Sequence, residues 1–132
     1  MRIFILFLSF FLIVNNAYAA DDEEETVDPV LEYLEMSPKF TVNLDKRKKY
    51  LAVSVQLLVE GEGYVEKVKK HMPALRHELI MIYSGRSAAE LQTMEQREAL
   101  RQETKEVITQ VLDKYSTSDG FRDVFFTEFL VN

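Results

Sequence analysis

Residues 40–59 read FTVNLDKRKKYLAVSVQLLV, and a strict two-residue alternation runs through them on both sides of a charged break. Phe40, Val42 and Leu44 alternate with Thr41 and Asn43. After Asp45-Lys46-Arg47-Lys48-Lys49, the residues Leu51, Val53, Val55, Leu57 and Val59 alternate with Ala52, Ser54 and Gln56. A period of two interrupted by a polar turn predicts a β-hairpin with one apolar face. At about 25 cal/mol per Å² of apolar surface removed from water, that face needs a cover.

The cover lies downstream. Val65, Val68, Met72, Leu75, Leu79 and Ile82 step by three and four, which is one apolar stripe on a helical surface. Pro73 interrupts it and removes an amide donor, so the helix should kink or restart there with the proline in its new first turn. Gly61-Glu62-Gly63 precedes the stripe as a break, and Gly85 stands where a left-handed residue would end it. Ser87-Ala88-Ala89-Glu90 and Thr93-Met94-Glu95-Gln96 both fit the capping box, predicting a short helix and then a long one from about Met94 to Tyr115. The long helix should bury Leu100, Val107, Ile108, Val111, Leu112 and Tyr115. Its other face carries Glu98, Arg101, Glu103, Lys105 and Glu106.

After turn residues at 116–120, residues 124–131 read as a last strand, with Phe125, Phe129 and Val131 on one face and Phe126 and Leu130 on the other. A strand apolar on both faces is a central, covered strand or an interface with another copy. The expected fold is therefore α+β: a small antiparallel sheet, hairpin plus C-terminal strand, packed against two or three helices.

Upstream, Met1-Arg2, an apolar run of about 12 residues and Ala17-Tyr18-Ala19 read as a cleavable signal peptide over residues 1–19, or else as a short membrane anchor. Either places the remainder outside the cytoplasm, because Arg2 stays inside. Residues 20–38 hold eight carboxylates and no Lys or Arg, which predicts a solvated acidic tether, with Val30, Leu31 and Leu34 able to form one amphipathic turn. The folded body is then residues 39–132, with Ser37-Pro38 launching its first strand.

Charge and composition narrow the function classes. The net charge is −6, yet 15 basic and 14 acidic residues from Lys39 onward leave the body nearly neutral, so no nucleic-acid footprint is present. Cysteine is absent, which removes disulfides, thiolate nucleophiles and cysteine-ligated metals. His71 and His77 stand six apart, not at the i, i+4 spacing that presents two ligands on one helical face. No nucleophile elbow, P-loop or dinucleotide fingerprint occurs. No catalytic, cofactor-binding or metal-binding residue is assigned, no small-molecule substrate is expected, and the chain reads as a non-enzyme.

The sharpest charged feature of the body is Lys46-Arg47-Lys48-Lys49. Its plainest reading is a solvated turn that discourages edge-to-edge aggregation. Two others are a contact with anionic lipid headgroups and a contact with the acidic tether of a neighbouring copy.

With these residues in view, the chain resembles the FliL family of flagellar basal-body proteins. The likeness lies in the succession Ser37-Pro38-Lys39-Phe40-Thr41-Val42-Asn43-Leu44, Tyr50-Leu51, His71-Met72-Pro73-Ala74-Leu75-Arg76 and Val124-Phe125-Phe126-Thr127-Glu128-Phe129. It implies a stomatin/prohibitin (SPFH)-like domain at the periplasmic face of the bacterial inner membrane, forming homo-oligomeric rings around stator subunits and supporting motility. The family commonly carries a full transmembrane helix, in place of which this chain has a short apolar run. A stomatin-like membrane scaffold without a flagellar role is the alternative.

Overall fold

Strand β3 (Tyr50–Glu60) is the spine of the molecule, since Leu51, Val53, Val55, Leu57 and Val59 along it are fully buried. The computed structural model describes residues 30–132. In it, β4 (Phe121–Val131) runs antiparallel beside β3 from Leu51 to Val59. Strands β1 (Leu31–Glu35) and β2 (Phe40–Asn43) also pair antiparallel with β3, on its C-terminal and N-terminal halves respectively. A strand has two edges and β4 occupies one, so β1 and β2 share the other in tandem. The hairpin forms as expected, with Phe40 opposite Val53 and Val42 opposite Leu51.

Three helices cover the apolar face: α1 (Glu62–Lys70), α2 (Met72–Tyr83) and α3 (Met94–Lys114). The apolar stripe does break at the proline, with His71 between α1 and α2 and Pro73 in the first turn of α2. Val65, Val68, Leu75 and Leu79 from this pair are buried against the sheet. Gly85 takes the left-handed conformation, φ 77°, and its amide donates to the Asn43 carbonyl at 2.8 Å, tying the exit of α2 to β2.

The capping box at α3 is complete. The Gln96 amide donates to Thr93 Oγ1, and the Thr93 amide donates to Gln96 Oε1, each at 3.1 Å. Thr93→Ala should therefore lower stability by about 1 kcal/mol, read as an earlier midpoint in urea unfolding. The other expected box is not made: Ser87 precedes a 3-10 turn, Ala88–Leu91, without a side-chain cap. A residue distant in sequence does that work, since Asp45 Oδ1 accepts from the Ala88 amide at 3.4 Å.

Three further expectations are corrected. Residues 31–38 are not tether: Leu31–Glu35 form β1, with Leu34 and Met36 buried in the core. Without β1, the C-terminal half of β3 would be left with an open edge. The strand was hidden because its outward positions include Leu31 and Tyr33 while Glu32 shares a face with Leu34, which scrambles the alternation.

Second, β4 is an edge strand and not a central one, since among the described residues it pairs with β3 alone. A register shift sets Phe126 opposite Val55 and Glu128 opposite Ser54, leaving Thr127 as an extra residue. Such a bulge flips parity. Val124, Phe126, Phe129 and Val131 consequently share the core side, with Phe126 and Phe129 ring centroids 5.6 Å apart, while Phe125 and Leu130 lie on the other. Third, Tyr115 is 48% exposed. It follows the last residue of α3 and stacks on His71, centroids 4.0 Å apart, instead of entering the core.

Candidate functional site

Among the described residues, three surfaces remain uncovered once the core closes. The first is a groove of about 330 Å³ between the N-terminal half of α3 and β4. The bulge at Thr127 builds its floor, because it brings Phe126 beside Phe129. Met94, 87% exposed, stands at one wall with Arg97, whose guanidinium lies 4.7 Å from the Phe129 ring centroid. Phe125 contributes from the strand, and Glu98 and Arg101 from the helix. The apolar floor lies beside the edge of β4 that no strand among the described residues pairs.

The charged wall of this groove is held by its own network. Arg101 donates to both Glu98 oxygens, at 2.6 and 2.8 Å, and also to Asp123 Oδ1 at 2.8 Å and the Val124 carbonyl at 3.0 Å. Lys105 stands 3.6 Å from Asp123. The bonds from Arg101 and then Gln102 hold the Glu98 carboxyl down at about 2. At Asp123 burial pushes upward, but the Val124 amide, Lys105 and Arg101 together outweigh it and keep the carboxyl below its usual range.

A carboxylate whose folded pKa is depressed stabilises the fold above its unfolded pKa and loses that contribution as pH falls through the folded value. Stability should therefore drop between about pH 4.5 and 2 through Glu98. Glu98 is exposed, so solvent and salt keep the effect small. Arg101→Gln should flatten this part of the curve, measured by thermal unfolding across the acid range.

The second surface is the outward face of the sheet, where Leu31, Tyr33 and Leu130 are between 48% and 61% exposed and Tyr33 lies 6.2 Å from Phe125. The third is the turn between β2 and β3. Lys46, Arg47, Lys48 and Lys49 are all exposed there, and among the described residues none stands in an ion pair.

His71 and His77 are not brought together: His71 lies at the helix junction against Tyr115, and His77 is exposed on α2. Among the described residues no group of three His, Asp or Glu stands close enough to hold a metal ion. In sequence Met94 belongs to a capping box and Arg101 to the charged face of a helix, and nothing local groups them and Arg97 with the phenylalanines, a grouping that depends on the bulge. The signal peptide or anchor expected at 1–19 lies outside the described residues, as does most of the acidic run. Within the described part, no helix is long and apolar enough to cross a membrane.

Among the described residues, one helix-covered sheet with an open reverse face, an unpaired edge beside an apolar groove and a projecting cationic turn define a two-layer α+β domain rich in contact surface. Residues 33–131 match the family model described as flagellar basal body-associated protein FliL. A flagellar protein FliL of Aquifex aeolicus is 33% identical over 98 residues, covering 73% of this chain and 58% of that relative. Flagellar protein FliL of Escherichia coli K12 is 28% identical over 120 residues, 89% of this chain and 76% of the relative. The chain belongs to the FliL family of flagellar basal body-associated proteins.

Proposed function

We propose that this domain is a non-enzymatic scaffold at the periplasmic face of the inner membrane, where it oligomerises and supports stator engagement and flagellar rotation. It grips an extended segment of a stator subunit. The observation that carries this reading is the edge of β4, unpaired among the described residues, lying beside the groove of Met94, Arg97, Phe126 and Phe129. An extended segment added along such an edge gains main-chain hydrogen bonds and sets alternate side chains into the groove. The stacked Arg97 would favour a segment carrying a carboxylate next to an apolar residue.

Capture of stator subunits by the exported protein, together with swimming and stator occupancy in a deletion strain, tests the reading. Met94→Glu with Arg97→Glu should abolish capture while the fold persists, because Met94 is largely in water and Arg97 is outside the core. Normal swimming and stator occupancy in the deletion strain would overturn it.

A further inference from the structure

From the basic turn we infer that the domain assembles head to tail, with Lys46, Arg47, Lys48 and Lys49 of one copy receiving the acidic run of residues 21–28 of a second copy. The inference deepens the oligomeric half of the preceding reading and rests on that half alone. The run holds six carboxylates, Asp21, Asp22, Glu23, Glu24, Glu25 and Asp28, and no cation, so the two segments are opposite in charge.

The turn is built to present its cations. Its backbone is fixed: the Lys49 amide donates to the Lys46 carbonyl at 3.0 Å, the Leu44 amide to the Lys49 carbonyl at 2.9 Å, and the Asp45 amide to the Arg86 carbonyl at 3.0 Å. The one carboxylate within it, Asp45, is turned to the Ala88 amide. Lys48 stands at φ 65°, a left-handed position that glycine or asparagine occupies at less cost, yet it carries a cation. A turn that served only to reverse the chain would gain from a glycine there.

Geometry directs the contact between molecules. The acidic run joins the fold at Val30, whose carbonyl accepts from Gly61 at the C-terminal end of β3. The turn lies past the opposite end of that strand, beyond Tyr50, and the 11 residues of β3 span about 33 Å. Glu24 is six residues from Val30 and reaches about 20 Å at full extension. The middle of the run therefore falls short of its own turn, whereas the turn of a neighbouring copy is under no such limit. A contact joining opposite ends of identical chains is heterologous, and it closes into a ring or continues as a filament.

The absence of cysteine makes the test direct. Full-length chains carrying Lys48→Cys and Glu24→Cys singly, co-expressed in flagellated cells, should give a disulfide-linked dimer, and the double variant a ladder of multiples. A purely internal disulfide in the double variant, or no cross-link, overturns the inference. Reversal of Lys46, Arg47, Lys48 and Lys49 to Glu should weaken self-association of the full chain about tenfold at physiological salt. Adding Glu23→Lys, Glu24→Lys and Glu25→Lys should restore it.

Unchanged self-association after the first reversal overturns the contact. So does a failure of the second set to restore it, including the case where binding to phosphatidylglycerol vesicles is what the first reversal abolishes. The two readings fail separately. Cross-links in a protein whose deletion leaves swimming normal overturn the flagellar role and support this contact. Lost cross-links with stators still engaged do the reverse.

Discussion

Gly120→Ala should destabilise the domain by about 3 kcal/mol, because a methyl group has no room at that position. A Cβ built there would stand 2.8 Å from the Glu60 carbonyl oxygen and closer still to Cβ and Cγ of Tyr64. Sterics and not backbone freedom require the glycine, since it does not adopt a left-handed angle. It ends a 3-10 turn, Ser118–Gly120, at the point where β4 must approach both β3 and α1. Tyr64→Ala should not rescue the variant, because the obstructing atoms include the Cβ that alanine retains and a main-chain oxygen. Urea unfolding of the single and double variants measures both outcomes, and rescue by Tyr64→Ala would show the contact to be a removable side-chain clash.

Tyr83→Ala should cost about 4 kcal/mol, the range for removing a fully buried ring that cannot be replaced by neighbours. Tyr83 joins the layers. It is fully buried, its ring meets Phe40 of β2 edge-on at 5.7 Å and Phe126 of β4 at 6.4 Å, and its hydroxyl lies 2.8 Å from Thr104 Oγ1 of α3. Thr104 already donates to the Leu100 carbonyl at 2.8 Å, so the tyrosine is the donor in that pair. Burial also holds the Tyr83 hydroxyl protonated well above the usual tyrosine range. Tyr83→Phe should therefore cost only about 1 kcal/mol, the worth of one neutral hydrogen bond whose partner keeps another. Calorimetric unfolding of the two variants separates ring from hydroxyl; equal losses would mean that the hydrogen bond and not the packing holds the layers.

Both variants depend on contacts that no short stretch of sequence contains, and the same is true of the groove. The hairpin was legible because one face of β3 is buried along its length, so the period of two survives from Leu51 to Val59. The helix break at Pro73 and the box at Thr93 were legible because both are local: a missing amide, and a hydroxyl three residues from the amide it satisfies. Strand β1 was not legible. It is an edge strand whose outward face carries Leu31 and Tyr33, so acidity overrode a short, irregular pattern. The faces of β4 were reversed at Phe126 for one reason, the extra residue at Thr127, which appears only when β3 sets the pairing.

Ion pairs divide along the same line. Glu98 and Arg101, three apart on α3, meet as helical spacing requires. Glu103 instead pairs with Arg86, and Lys105 with Asp123, because the loop after α2 and the strand β4 pass over that helix.

By itself, then, the sequence determined the class of fold, the hairpin and its turn, the starts and breaks of the helices, and membership of a flagellar family through an ordered succession of short segments. These are local or periodic properties, carried by backbone chemistry and by which side chains avoid water. Tertiary structure alone decided that β1 and β2 share an edge, that a bulge swings Phe126 into line with Phe129, that Gly120 has no room for a methyl, and that the basic turn stands a full strand away from Val30. Each of those depends on the relative placement of segments far apart in the chain, which close packing settles and periodicity does not encode.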